Sequence, residues 1–222
     1  MKQLDPLPAA LVFDFDGTIA DTRAVIVSCF QRSYRALGIP APPADEISAT
    51  IGIPLERAFH TLSGFSEAES RSAAAVYREL FARAGHSDVR PITGMPDVVR
   101  TCHAAGYPLA IASSRSHNSL DLLLDALGLT SFFTIVAGPE NAAREKPHPD
   151  LLFAVAEHLG ICAARLLMIG DTSFDVEMGR NAGCLTLAVT WGNHSREALD
   201  AARASAVVDR PQEIPALVGL PG

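Results

Sequence analysis

The chain has 222 residues, of which 48% are hydrophobic and 19% charged, and 18 Lys and Arg against 25 Asp and Glu give a formal net charge of −7. This composition excludes a disordered or collagen-like chain and predicts one large globular domain, or a core with a smaller appendage. The acidic balance argues against nucleic acid as a partner, because phosphate backbones are held by clustered Lys and Arg.

Short apolar runs that stop at polar loops alternate with stretches of helical period along most of the chain. The predicted strands are residues 10–13, 107–112, 132–137, 166–169, 185–189 and 206–208. The predicted helices between and after them are residues 95–105, 117–127, 149–159, 174–182 and 196–204. Continuously apolar strands alternating with helices predict an α/β fold with a Rossmann-like parallel sheet that carries helices on both faces.

One segment breaks the alternation of strands and helices. Residues 22–89, here called the cap, contain only helical patterns, at 24–37, 45–51, 55–62 and 67–84. We therefore predict a helical cap inserted into a sheet core made of residues 1–21 and 90–222. In a parallel sheet of this kind, ligands bind at the carboxyl ends of the strands, so the loops there are the candidate site.

Acidic residues follow two of these strands. Asp14 and Asp16 come directly after residues 10–13, and Gly17 permits the turn that lets both carboxylates face one pocket. Asp171 and Asp175 follow residues 166–169 at the start of a helix, where either one taken alone is as readily a helix cap. Carboxylates converging from separate strand ends form an oxygen-rich site suited to Mg²⁺.

A lysine and two serines supply phosphate-binding chemistry on neighbouring loops. Lys146 precedes Pro147 and Pro149, which stiffen the backbone and fix its position. Ser113 and Ser114 end another strand, where a hydroxyl and loop amides can hold a phosphoryl oxygen. His148, between the prolines, is taken as a loop residue.

Together the motifs resemble those of the haloacid dehalogenase superfamily, in particular its phosphoglycolate-phosphatase-like branch. The resemblance covers nearly the whole chain, and the four motifs occur in order. They are Asp14-Phe15-Asp16-Gly17-Thr18, then Ser113, then Lys146-Pro147, then Gly170-Asp171 through Asp175.

This resemblance implies a role for each motif residue. Asp14 would attack phosphorus and form an aspartyl-phosphate, and Asp16 would act as general acid and then as general base. Mg²⁺ would be held by the Asp14 side chain, the Asp16 backbone carbonyl and Asp171, with Asp175 orienting ligands or the lysine. The predicted substrate contacts are Gly17, Ser113, Ser114, Lys146 and, from the cap, Arg57. The alternatives weighed for the cap contact are Arg23, Arg32, Arg35 and Arg71.

The predicted function is Mg²⁺-dependent hydrolysis of a small phosphate monoester such as phosphoglycolate. Two alternatives stay open. One is a β-phosphoglucomutase-like phosphomutase or a pyrophosphatase of the same fold; the mutase is disfavoured because residues 21–25 lack the histidine usual in that group. The other is a regulatory or binding protein that has kept the fold without catalysis.

The remaining expectations concern the setting of the protein. We expect a small phosphorylated metabolite as partner, no nucleic acid or membrane, and a monomer or homodimer. The four widely spaced cysteines, Cys29, Cys102, Cys162 and Cys184, are predicted to be reduced core residues. No signal peptide and no bilayer-spanning apolar run is visible, which predicts a cytoplasmic location. The sequence does not identify the phosphate ester or the cap residues that select it.

Overall fold

The computed structural model describes residues 3–84 and 88–220. The residues of the predicted cap and sheet core at 1–2, 85–87 and 221–222 lie outside this description. The strands are β1 (Ala10–Phe13), β2 (Ala20–Asp21), β3 (Arg90–Pro91), β4 (Leu109–Ala112), β5 (Ile135–Ala137), β6 (Leu166–Gly170), β7 (Leu185–Val189) and β8 (Ala206–Val208). The helices are α1 (Arg23–Ala36), α2 (Ala44–Ala49), α3 (Leu55–Ser63), α4 (Glu67–Ala84), α5 (Met95–Ala104), α6 (His117–Ala126), α7 (Asp150–Leu159), α8 (Ser173–Asn181), α9 (Arg196–Ala202) and α10 (Glu213–Leu217).

Six strands form one parallel sheet in the order β5-β4-β1-β6-β7-β8. β1 lies at the centre, with Leu11 opposite Leu109 on one side and Val12 opposite Met168 on the other. The chain builds outward from β1 first to one edge and then to the other. The order therefore reverses beside β1, and the α/β fold predicted from the sequence is confirmed.

Both faces of the sheet are buried, as the continuously apolar strands predict. Successive side chains of a strand point to opposite faces, and in β1 Leu11 and Phe13 belong to one hydrophobic cluster while Ala10 and Val12 belong to another. Helices α5, α6 and α10 contribute to the first cluster, and α7 and α8 contribute to the second. This double cover leaves the loops at the strand ends as the accessible polar edge of the sheet.

The cap contains the four helices predicted for it, α1 to α4. Its interior is aromatic: the Phe30 ring lies 4.7 Å from Phe59 and 5.0 Å from Tyr77, centroid to centroid. At its two ends the chain forms a short antiparallel pair, with Ala20 of β2 opposite Pro91 of β3. The cap thus joins the sheet core through two adjacent strands, and the division into two domains stays a prediction.

Several elements differ from the sequence-based expectation. The paired strands β2 and β3 have two residues each and helix α10 has five, too short for a periodic pattern to develop. Cys162 is exposed, whereas the other three cysteines are buried as predicted. Within the described part of the chain, no helix combines the length and the apolar character needed to cross a bilayer.

Candidate active site

The polar residues predicted from the strand ends are buried beside one another. Asp14, Ser113, Lys146, Asp171 and Asp175 each expose 2% of their surface or less. A lysine and three carboxylates are rarely buried this completely unless they pair with one another or bind ions. The parallel sheet explains their convergence, because the carboxyl ends of β1, β4 and β6 meet at the same edge.

Lys146 bridges two of the carboxylates. Its Nζ atom donates to Oδ1 of Asp14 at 2.8 Å and to Oδ1 of Asp175 at 2.6 Å. Burial alone would lower the pKa of Lys146, but Asp14 and Asp175 outweigh that effect and hold the pKa above its usual value. Lys146 is therefore a fixed positive charge beside the predicted nucleophile.

Asp175 has two structural tasks. Its Oδ2 atom accepts hydrogen bonds from the Thr172 hydroxyl at 2.7 Å and from the Thr172 backbone N–H at 3.1 Å, which closes a capping box at the start of α8. Its other oxygen holds Lys146. Helix capping and orientation of the lysine were competing interpretations of the sequence, and the structure shows both contacts.

Asp171 is held from three directions. Oδ1 accepts from the Thr18 hydroxyl at 3.0 Å, and Oδ2 accepts from the Asn193 backbone N–H at 2.6 Å and side-chain amide at 2.9 Å. Glycine is required on two sides, since a Cβ on Gly17 or Gly192 would lie 2.4 or 2.2 Å from Oδ2 of Asp171. Gly17 also has φ = +83°, a left-handed conformation that favours glycine.

The carboxylates carry more negative charge than their protein partners balance. Asp14, Asp171 and Asp175 each offer an oxygen within 4.8 Å of the others, and among the described residues Lys146 is the cation that an ion pair links to this group. Burial raises the pKa of Asp14 well above its usual range and raises the pKa of Asp171 to about 7. The negative charge of Asp175 raises both pKa values further. A buried, hard-oxygen cluster with excess negative charge fits a divalent cation such as Mg²⁺.

Asp16 is turned away from this cluster toward an arginine. Arg115 donates from Nη2 to Oδ1 of Asp16 at 2.6 Å and from Nε to Oδ2 at 3.0 Å, and both side chains are largely buried. The same guanidinium donates to the Ser119 hydroxyl at 2.9 Å and stacks 4.6 Å from the ring centroid of Phe81 in the cap. Arg115 thus connects the predicted acid/base residue to both the sheet core and the cap.

Arg115 and Asn193 are site residues that prediction from the sequence missed. A signal existed for each, because Arg115 directly follows Ser113 and Ser114, and Asn193 lies in the loop after β7 at the same edge of the sheet. The contacts themselves join residues 99 and 177 positions apart, Arg115 to Asp16 and Asn193 to the Asp16 carbonyl. Such pairings depend on the assembled sheet and have no local pattern.

A cavity of about 630 Å³ lies between the cap and these loops. Asp14, Asp16, Ser113 and Ser114 line its sheet-core side. The Ser114 hydroxyl also donates to the Gly52 carbonyl of the cap at 2.8 Å, so this loop is a point of contact between the two parts. The cavity therefore gives access to Asp14 and Asp16, the predicted nucleophile and the predicted acid/base residue.

The structure does not bring Arg57 to this cavity. The side chain is exposed, while Leu55 and Ala58 of the same helix line the cavity wall. At about 100° per residue, Arg57 lies roughly 160° around α3 from Leu55, and it is the one residue of 54–58 that does not line the cavity. The expectation that Arg57 contacts substrate therefore has no support in this arrangement.

A doubly covered parallel sheet with a lysine–aspartate site at its carboxyl edge defines an α/β enzyme. The model of the haloacid dehalogenase-like hydrolase family matches residues 11–189, and the chain belongs to that family. The resemblance seen in the sequence is thereby confirmed.

Relatives and a solved structure agree with this assignment. "Probable phosphatase IndB" of Dickeya dadantii is 37% identical, with 92% of this chain and 90% of that protein covered. Phosphoglycolate phosphatase of Escherichia coli is 25% identical (95% and 92% covered), and a Clostridium perfringens protein with a pyrophosphatase name is 24% identical (94% and 96% covered). A haloacid dehalogenase-like hydrolase structure from Streptococcus pneumoniae has a TM-score of 0.84 at 27% identity (94% and 97% covered). By this similarity the chain is a hydrolase of the phosphatase branch.

Proposed function

We propose that the protein is a Mg²⁺-dependent phosphatase that hydrolyses a small phosphorylated metabolite through an aspartyl-phosphate on Asp14. The observation that carries the proposal is the contact at 2.8 Å between Lys146 and Asp14, the latter of which lines the cavity. An anionic nucleophile approaches an anionic phosphate only when cations lie between them. Lys146 is one such cation, and the surplus of carboxylates supports a second.

The metal would be held by the side chains of Asp14 and Asp171, with the Asp16 backbone carbonyl as a further ligand from the family resemblance. Asp175, whose two oxygens are engaged by Lys146 and Thr172, would keep the lysine in place. When bound, Mg²⁺ neutralises charge on the phosphoryl oxygens and lowers the pKa of the carboxylates around it. That shift favours the ionised form of Asp14, which is the form that attacks.

The chain's own residues account for the two displacement steps. A carboxylate oxygen of Asp14 forms a bond to phosphorus as the bond from phosphorus to the ester oxygen breaks, and Asp16 gives the departing alkoxide its proton. Asp16 then takes a proton from the water that attacks the aspartyl-phosphate, which releases inorganic phosphate and restores Asp14. Lys146 and Ser113 would position the transferred phosphoryl group.

Both oxygens of Asp16 accept hydrogen bonds from Arg115, so one of them has to leave the arginine and carry a proton before Asp16 can act as general acid. The other oxygen stays on Arg115, which keeps the side chain in position. We assign the release of the first oxygen to occupation of the cavity by substrate.

Two substrate classes are supported by named relatives. The phosphatase relatives support a phosphate monoester, with phosphoglycolate as one candidate, and the Clostridium perfringens relative supports pyrophosphate as a second. The intact set of Asp14, Asp16, Lys146 and Asp171 argues against a protein that has lost catalysis.

The test is turnover of p-nitrophenyl phosphate with Mg²⁺ by the wild type and by Asp14→Asn, whose side chain has nearly the same shape. We expect Mg²⁺-dependent turnover by the wild type and a loss of about 10³-fold or more in the variant. Undiminished turnover by Asp14→Asn would refute the nucleophile assignment, and activity that persists in EDTA would refute the metal. Phosphate release from phosphoglycolate and from pyrophosphate separates the two substrate classes.

A further inference from the structure

The wall of the cavity opposite Asp14 is mainly apolar. It is formed by cap side chains: Ile26, Phe30, Ile51, Ile53, Leu55 and Phe81. At about 630 Å³, the cavity lies in the range of pockets that enclose drug-sized ligands. Phosphoglycolate, the phosphate ester of a two-carbon acid, would contact only a small part of this apolar wall.

The cations that line the cavity are already engaged. Among the described lining residues the basic ones are Arg78 and Arg115. Arg115 forms the two-point pair with Asp16, and Arg78 donates to Oε1 of Glu56 at 2.6 Å. Two further acids, Glu140 and Glu145, line the same cavity. A carboxylate on the substrate would have to displace Asp16 or Glu56 from its arginine.

We infer that the preferred substrate is the phosphate ester of an uncharged, partly apolar alcohol larger than glycolate. This inference rests on the proposed phosphatase function and narrows its substrate class. The phosphate would lie against Lys146 and Ser113, and the body of the alcohol would contact the apolar cap wall. Hydrolysis would release the free alcohol and inorganic phosphate, as for any monoester.

The first test compares esters with alkyl leaving groups, so that leaving-group chemistry does not decide the order. The series is phosphoglycolate, ethyl phosphate, benzyl phosphate and 2-naphthylmethyl phosphate, measured as kcat/KM with Mg²⁺. We expect ethyl phosphate to exceed phosphoglycolate, and benzyl phosphate to exceed ethyl phosphate by about tenfold or more as apolar contact is gained.

Two variants test the apolar wall. Leu55→Asn places a polar side chain on the wall and is expected to lower the kcat/KM ratio of benzyl to ethyl phosphate by about fivefold. Leu62→Asn is the matched control, because Leu62 is a half-buried leucine of the same helix that does not line the cavity. It should leave the ratio unchanged, and using a ratio removes any general loss of folded protein. Equal ratios in the two variants would overturn the role of the wall.

A second pair tests the charge argument. Glu56→Gln frees Arg78 within the cavity and is expected to raise the kcat/KM ratio of phosphoglycolate to ethyl phosphate by about tenfold, the worth of one charge-assisted contact. The double variant Glu56→Gln, Arg78→Gln should abolish that gain. No gain in the single variant would overturn the assignment of an uncharged leaving group.

The outcomes separate this inference from the function on which it rests. If phosphoglycolate is the best substrate in the series, the inference fails and the phosphatase function stands. If none of the esters is turned over with Mg²⁺, the phosphatase function itself fails.

Discussion

The sheet core and the cap contribute different kinds of side chain to the two sides of the cavity. In the sheet core, the charged groups of the predicted site are buried and fixed: Lys146 contacts two carboxylates, and Asp171 accepts three hydrogen bonds. On the cap side the wall is apolar, and the ion pair Glu56–Arg78 is partly exposed to solvent. The two sides of the cavity therefore serve different purposes. The sheet-core side fixes reactive atoms, whereas the cap side presents a surface that selects by shape and polarity.

Substitution of a reactive residue on the sheet-core side should impair the chemistry, whichever ester is hydrolysed. Asp16→Asn keeps the shape of the side chain but cannot exchange the proton, so we expect kcat to fall by about 10²–10⁴-fold. The measurement is steady-state turnover of ethyl and p-nitrophenyl phosphate, with circular dichroism to verify the fold. The loss should be greater for ethyl phosphate, whose alkoxide needs the proton more. A wild-type rate on both esters would rule out the acid/base role.

Asp171→Asn tests whether the buried carboxylates serve a metal. We expect kcat to fall by about 10²-fold, because a bound divalent cation contributes several kcal/mol of charge stabilisation. Binding to the native state also stabilises it, so Mg²⁺ should raise the Tm of the wild type and not that of the variant. An equal Mg²⁺-induced rise in both proteins would exclude Asp171 as a ligand.

Asp171→Asn should also change how the stability of the metal-free protein depends on pH. The pKa of Asp171 is raised from 3.8 to about 7 by burial, so the folded state binds this proton more tightly than the unfolded state does. Stability in EDTA therefore falls as the pH rises between those two values. Asp171→Asn removes this contribution, and its free energy of unfolding, measured with urea, should fall less than that of the wild type between about pH 5 and about pH 8.

Arg115 lies where the two sides meet, since it holds Asp16 and stacks on Phe81 of the cap. Arg115→Gln should lower kcat by about tenfold through loss of positioning, with a smaller change in KM. Arg115→Lys keeps the charge without the two-point geometry and should restore part of the rate. A variant with a raised KM and an unchanged kcat would show that Arg115 binds substrate and does not position Asp16.

The smallest effect is expected on the outer surface of the cap. Arg57→Ala should leave kcat/KM within about twofold of the wild type on every ester, because an exposed side chain outside the cavity contributes little. Arg78→Ala, which removes a cavity-lining arginine of the same cap, is the comparison variant. A large loss of kcat/KM in Arg57→Ala but not in Arg78→Ala would show that the outer surface of the cap, and not the cavity wall, selects the substrate.

Prediction from the sequence succeeded where the signal was local. The apolar runs located the strands. The acidic residues that follow them, such as Asp14, indicated which edge of the sheet carries the site. Lys146 was singled out because the two prolines that follow it fix its backbone. These features depend on neighbours in sequence, so residue order alone reveals them.

The same reasoning failed where the relevant partner is distant. In the sequence, Arg115 and Asn193 are ordinary loop residues. The assembled sheet places Arg115 against Asp16 and Asn193 against Asp171. The cap holds seven arginines, and no local pattern tells which of them faces the cavity; Arg78 lines it and Arg57 does not. The pair β2–β3 was missed because two residues carry no period.

The pairing of distant residues also links catalysis to the completion of folding. Lys146 reaches Asp14 across 132 positions, and Thr18 reaches Asp171 across 153. A partly folded chain in which β6 has not yet joined β1 has a nucleophile without its neighbouring carboxylate, whatever helices it has formed. Recovery of turnover after dilution from denaturant therefore reports the closing of the central sheet, and it should lag behind the return of helical signal.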